Sequence, residues 1–223
     1  SNLITALSDR PQDQASTSTG GRNDSSVITP TKARTKSPAS TSFTPLSMKL
    51  TNMLREVHNG LFHALTTETR QTTLISIIKT IGVLAQETPY DALPPGTVFK
   101  IMTHLQKLGF DKALDPRIVK VSVSSLASFV VARVSSHEVL DLLEPTSSNL
   151  LVQMDRFLQT ETTWSIKTEI FRFFSSVALQ FPLLLVPHWK MLFSVVLTTI
   201  TGESAQENDP NARHAAAKVV DDF

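Results

Sequence analysis

The stretch that decides the fold is Asp115-Pro-Arg-Ile-Val-Lys-Val-Ser-Val-Ser-Ser-Leu126. An aspartate followed by a proline suits the N-terminus of a helix. The carboxylate accepts hydrogen bonds from unpaired backbone N–H groups, and proline lacks an N–H that would have no partner. The same dipeptide recurs as Asp209-Pro210, again ahead of small and apolar residues. The two sites indicate a helix start that repeats along the chain.

Basic residues lie near the start of each helical, apolar run, at a period of nearly fifty residues. They are Arg70, Lys120, Lys167 and Arg213, at intervals of 50, 47 and 46 residues. Self-similarity at such a period is typical of stacked helix pairs. The sequence therefore predicts an all-α fold, a helical solenoid of about four helix pairs.

Composition separates an N-terminal tail from this solenoid. Residues 1–43 are rich in Ser, Thr and Pro and contain few large apolar side chains. Such a segment cannot bury enough apolar surface to offset the entropy of ordering it, so we expect a disordered tail or an insertion between repeats. The solenoid is expected over 44–223. Its four helix pairs are expected at about 44–88, 96–133, 137–181 and 185–223.

The quoted stretch also resembles the second helix of a HEAT repeat. In that pattern an acidic residue and a proline occupy the turn, an apolar residue precedes a basic one, and small and apolar residues follow. The segment from Asp209 to Lys218 repeats it. A wider stretch, from Leu54 to Pro145, resembles the uncharacterised N-terminal domain of a HEAT-repeat-containing protein. The resemblance implies a right-handed α-α superhelix (an armadillo-like solenoid) of about four HEAT-type helix pairs. It also implies a surface used for protein interaction, with no catalytic residues to transfer.

The sequence contains no pattern that indicates catalysis. It has no cysteine, and its six histidines show no metal-ligand spacing, since His58 and His63 lie on different sides of a helix. No Gly-x-Ser-x-Gly motif or glycine-rich phosphate loop occurs. We therefore expect no enzyme activity, no cofactor, no bound metal and no small-molecule substrate.

The most apolar stretch, from Phe181 to Ile200, is interrupted by two prolines and by His188 and Lys190. A membrane span needs about 20 consecutive apolar residues, so we expect two short helices with a proline turn and no membrane contact. Nearby aromatic residues are expected to pack between helices, with a hydrophobic binding groove as the alternative. These residues are Phe171, Phe173, Phe174, Phe181, Trp189 and Phe193.

The repeated basic residues have two interpretations. They could form a row that binds an acidic partner, or they could pair with acidic side chains in the turns and so join neighbouring helices. The second is favoured, with Asp115, Glu161 and Asp209 as the expected partners. The binding interpretation would gain if Arg172 and Lys218 faced the same surface.

Three hydroxyl residues of the tail region precede proline, the form that proline-directed kinases modify: Thr29, Ser37 and Thr44. A phosphate at any of them would add about −1.5 to −2 charge. At Ser37 this charge would enter a basic stretch. The three residues are candidate phosphorylation sites.

These observations favour a non-catalytic scaffold or adaptor that binds another protein. The partner would lie on the concave face lined by the second helix of each pair. The net charge of +1 provides no bulk attraction to nucleic acid. We expect an intracellular protein, cytoplasmic or nuclear. Two alternatives are a nuclear-transport or nucleic-acid-associated repeat protein and a purely architectural spacer in a larger protein.

Overall fold

The structure is a computed structural model, and it describes residues 45–90, 93–132, 137–144, 150–160, 163–201 and 209–223. Within these ranges the chain forms helices and no strand, so the expected all-α class is confirmed. The predicted tail, the sites Thr29, Ser37 and Thr44, and Glu161 lie outside the described residues.

Ten helices occur in the described ranges. They are α1 (Pro45–Thr67), α2 (Gln71–Glu87), α3 (Thr97–Phe110), α4 (Pro116–Val131), α5 (His137–Leu143), α6 (Leu150–Thr160), α7 (Trp164–Gln180), α8 (Pro182–Leu185), α9 (Trp189–Thr201) and α10 (Pro210–Asp222). The chain divides into two compact units. The first is described only over 45–50, the opening of α1. The second covers Thr51–Phe223, and the packing below is its packing.

The Asp-Pro dipeptides begin helices as the sequence indicates. The carboxylate of Asp115 accepts a hydrogen bond from the backbone N–H of Arg117 at 2.8 Å, and that of Asp209 accepts from the N–H of Asn211 at 2.9 Å. The following proline occupies the first turn of α4 and of α10. Both helices therefore start with a satisfied cap.

The helices of the second unit lie in two layers. The inner layer consists of α2, α4, α7 and α10, each of which packs against the next in that order. The outer layer contains α1, α3, α6 and α9: Phe62 of α1 meets His104 of α3, Phe110 of α3 meets Phe157 of α6, and α6 packs against α9. The layers meet where α3 packs on α4 and α9 packs on α10.

Contacts between consecutive pairs join residues about one sequence period apart. Ser125 Oγ donates to the carbonyl of Ile78 at 3.0 Å, 47 residues away. In the outer layer Gln106 Nε2 donates to Gln153 Oε1 at 2.9 Å, again 47 residues away. Neighbouring helices of one layer therefore contact each other through residues 47 apart in the sequence, which is close to the spacing of the basic residues.

One continuous core fills the space between the layers. Helix α7 has more buried residues than any other described helix, and α4 and α10 pack against it. Phe171, Phe173 and Phe174 are completely buried there, and each buried side chain of this size stabilises the fold by about 1.5–3 kcal/mol relative to exposure. The expected packing role of these three aromatic residues is therefore observed.

The apolar stretch before the C-terminus folds as the two short helices α8 and α9, with a turn over 186–188. Trp189 stacks on Phe223 with ring centroids 4.0 Å apart, whereas Phe193 remains exposed. Across the described residues, every helix is too short or too polar to cross a membrane.

Candidate functional site

Three neighbouring cavities open on the inner layer, and together we call them the groove. The first, between α2 and α4, has a volume of about 740 Å³. The third, between α7 and α10, has a volume of about 410 Å³. A smaller cavity of about 170 Å³ lies between them; it shares Gln86 and Glu169 with the first and Val131 and Arg172 with the third. The groove is therefore continuous across four helices.

Apolar side chains lie exposed in this groove. Val83 of α2, Val131 of α4 and Leu179 of α7 line it and are 65%, 45% and 56% exposed. Other large apolar residues of the same helices, such as Ile78 and Phe174, are completely buried in the core. These three side chains thus leave apolar surface exposed to solvent in the groove.

Four basic side chains line the same groove. Lys79 of α2 and Lys120 of α4 belong to the first cavity, and Arg172 of α7 and Lys218 of α10 belong to the third. Lys218 also pairs with Asp222 at 3.4 Å, on its own helix. Every inner helix therefore contributes one of these cations.

A fifth cation, Arg117, lies at the edge of the first cavity and is already occupied. Its Nη2 lies 2.9 Å from Asp115 Oδ2, and its Nε donates to Oδ1. Hydrogen bonds from the Arg117 side chain and backbone lower the pKa of Asp115, and the same pair raises the pKa of Arg117. This side chain belongs to the cap of α4 more than to the groove.

Glu169 supplies the one carboxylate among the residues that line the three cavities. Its side chain is only 6% exposed, and Oε1 accepts from Arg172 Nη1 at 2.9 Å and lies 4.0 Å from Lys120 Nζ. The two cations are 59% and 43% exposed. A buried carboxylate thus holds two cations at the middle of the groove while much of each remains open to solvent.

The basic residues that repeat along the chain do not share one role. Lys120 lines the groove and approaches Glu169. Lys167 Nζ lies 4.6 Å from the centroid of the Trp164 ring, a cation–π contact. Arg70 is exposed at the N-cap position of α2.

Arg213 acts differently again. Its Nε and Nη2 donate to the carbonyl of Ile200 at 3.1 and 2.8 Å, which joins α10 to the last turn of α9. The expected pairing of the basic residues with Asp115 and Asp209 is wrong. Those two carboxylates instead accept hydrogen bonds from backbone N–H groups at the starts of their own helices.

Arg172 and Lys218 both line the third cavity, the arrangement that favours the binding interpretation. Lys79 and Glu169 of the groove were not predicted from the sequence. The sequence contains one indication of the role of Glu169, because this carboxylate lies three residues before Arg172 in a helix that is otherwise mostly apolar. Nothing in the sequence distinguishes Lys79 from other exposed lysines.

The family model of a domain of unknown function, DUF4042, matches residues 24–139, more than half of the chain. This chain belongs to the DUF4042 family. No solved structure matches it. The DUF4042 match includes α2 and α4, and with them every lining residue of the first cavity except Glu169. The third cavity, apart from Val131, lies C-terminal to the match.

Apart from Glu169, the buried titratable groups described in this DUF4042 protein lie outside the groove. His58 is buried, its Nδ1 lies 2.7 Å from the carbonyl of Leu54, and its ring meets Tyr90 edge-on. Burial lowers the pKa of His58 and raises that of Tyr90. Burial likewise raises the pKa of Asp155. In the described residues no three His, Asp or Glu side chains are placed to hold a metal ion together.

Proposed function

We propose that this chain is a non-catalytic protein-interaction module, a scaffold or adaptor whose groove holds a segment of another protein. The observation that carries the proposal is the continuous groove, in which exposed Val83, Val131 and Leu179 lie among the cations of all four inner helices. Exposed apolar side chains bordered by charged ones are typical of protein-binding surfaces.

The length of the groove suits a polypeptide. Packed helices lie about 8–10 Å apart, so four neighbouring inner helices span roughly 25–30 Å. An extended chain rises about 3.3 Å per residue, and roughly eight or nine residues would cross them. Three cavities in a row would each accept side chains of such a segment.

We further propose that the two layers are HEAT-type repeats that form an armadillo-like superhelix. The support is the capped Asp-Pro start of α4 and α10 and the contacts between residues 47 apart in both layers. In such an arrangement each pair contacts only its neighbours, and the inner helices present one long surface to a partner.

Site-specific photo-cross-linking in cells tests this function. A photoreactive amino acid replaces Val83 in the groove and, as the matched control, Phe99 on the outer helix α3; both positions are exposed apolar residues. We expect a discrete cross-linked protein from position 83 and much less from position 99. Equal cross-linking at both positions, or cross-linking only at 99, would contradict the proposal.

A further inference from the structure

We infer that the groove selects an acidic, extended protein segment that carries apolar side chains among its carboxylates. The inference rests on the proposed function and names the chemistry of its partner. It follows from charge complementarity: Lys79, Lys120, Arg172 and Lys218 line the cavities, and Glu169 is the one carboxylate that lines them.

Cations and apolar side chains share one face of the inner helices. On α2, Lys79 and Val83 are one turn apart, and on α7, Arg172 and Leu179 are two turns apart, so each pair lies on the same side of its helix. Both members of each pair line the groove. A segment that crosses the helices would therefore meet a positive charge and an apolar side chain on each of these two helices.

Glu169 holds Arg172 in a position from which the guanidinium can bind a ligand carboxylate at the centre of the groove. Arg172 donates one hydrogen bond to Glu169, from Nη1, and a guanidinium has five N–H donors. Lys120 Nζ lies 4.0 Å from the same oxygen. Arg172 is thus held by a hydrogen bond and keeps further donors for a ligand, which reduces the entropy that a ligand would lose in ordering it. Glu169 is a positioning residue in this account.

A polypeptide fits this groove better than a nucleic acid. Proteins that bind single strands supply several aromatic side chains on which successive bases stack. The residues that line the three cavities include no Phe, Tyr or Trp, and His214 is the one aromatic ring among them. Val83, Val131 and Leu179 instead offer contacts to aliphatic side chains.

Fluorescence anisotropy with synthetic peptides tests the inference on the whole chain. The probe is a labelled peptide of about ten residues in which Glu alternates with Leu, compared with peptides that carry Gln or Lys in place of Glu. We expect the Glu peptide to bind at least about tenfold more tightly than the Gln peptide, and the Lys peptide to bind least. Added salt should weaken binding of the Glu peptide most, because the charges are partly exposed.

Charge-neutral variants place the interaction in the groove. Lys79→Gln, Arg172→Gln and Lys218→Gln should each weaken binding of the Glu peptide by about twofold to fivefold, as expected for a partly exposed ion pair. Lys107→Gln makes the same change on the outer helix α3, where the side chain is exposed, and should leave binding unchanged.

The variant Glu169→Gln distinguishes a role of Glu169 in positioning Arg172 from a general loss of folded structure. Glutamine keeps an oxygen that can accept the hydrogen bond from Arg172, so Arg172 stays in position. It also removes the negative charge that would repel a ligand carboxylate, so this variant should bind the Glu peptide more tightly. A structural defect would weaken binding instead, and circular dichroism shows whether each variant is folded.

Equal affinity for the Glu and Lys peptides would overturn the inference, as would unchanged binding in all three cation variants. Tighter binding of a single-stranded RNA probe than of the Glu peptide would also overturn it. If cross-linking from position 83 succeeds and the peptide results fail, the partner chemistry is wrong while the proposed function stands. If cross-linking fails as well, both are wrong.

Discussion

Gly82 controls how closely two inner helices approach. A Cβ added there would lie 2.7 Å from Ser125 Oγ and 3.3 Å from Ser125 Cβ. Ser125 is buried and its hydroxyl is bonded to the carbonyl of Ile78, so it cannot move away freely. A single hydrogen side chain therefore permits the contact between α2 and α4 beneath the first cavity.

Gly82→Ala should destabilise the protein by about 1–3 kcal/mol, the usual cost of overpacking. Gly60→Ala is the matched control, because Gly60 is also helical and an added Cβ there meets nothing within 4 Å. That control should raise stability by up to about 1 kcal/mol through helix propensity. Urea unfolding measures both. Equal stabilities of the two variants would show that the helices are further apart than described.

His58 should make stability depend on pH. Burial lowers its pKa below the ordinary value of 6.5, so below that value the unfolded chain takes up a proton more readily than the folded chain. Stability should then fall as pH is lowered from about 7 to about 5. The variant His58→Gln should lack the part of the pH dependence of stability that His58 causes. Urea unfolding at both pH values measures it, and an unchanged pH dependence in the variant would contradict the assignment.

His104 acts in the same direction, because burial first and the charge of Lys107 second lower its pKa. His104 is present in both the parent chain and the His58 variant, so the difference in pH dependence between them is due to His58.

Sequence patterns did not predict roles of individual residues of this kind. The spacing of Lys120 and Arg213 predicted where helices begin, but the rotation of neighbouring helices decides which groups they meet.

Helix α3 takes its N-terminal cap from a different element. The Glu138 side chain on α5 accepts from the backbone N–H groups of Gly96 and, at 2.9 Å, of Phe99. Gly96 has a positive φ of 83°, a conformation that glycine adopts without strain. The carboxylate satisfies two donors at the positive end of the helix dipole and joins the second helix pair to the third.

Glu138→Ala should therefore lower the free energy of unfolding by about 1–2 kcal/mol, in the range for loss of an N-cap. Asp141→Ala on the same short helix is the control, since Asp141 is exposed and should change stability little. Denaturant unfolding of the two variants distinguishes a cap from a general charge effect. Comparable losses in both would show that the bonds to α3 contribute nothing.

Sequence reasoning predicted some helix starts and not others, for a physical reason. Asp115 and Asp209 cap the helices that directly follow them, so the local sequence contains all the information. The cap of α3 comes from a residue about forty positions later in the chain. Contacts of that kind depend on how the pairs pack, and no local pattern encodes it.

At the scale of the whole molecule, the period of the basic residues predicted an all-helical chain, and contacts between residues 47 apart occur in both layers. Hydrophobic periodicity predicts which face of each helix is buried. It does not predict that Val83, Val131 and Leu179 are exposed on one groove, because that depends on the relative rotation of three helices. The groove therefore emerges only from the packed structure.

Thiol protection reports directly on whether a peptide occupies the groove, and the chain contains no cysteine of its own to interfere. Single variants Val83→Cys, Val131→Cys and Leu179→Cys report on the groove, and Phe99→Cys reports on the outer layer. Their alkylation rates are measured with and without saturating Glu-Leu peptide. We expect the peptide to slow alkylation of the thiol at all three groove positions and to leave the alkylation rate at position 99 unchanged. Protection at position 99, or at none of the three groove positions, would contradict it.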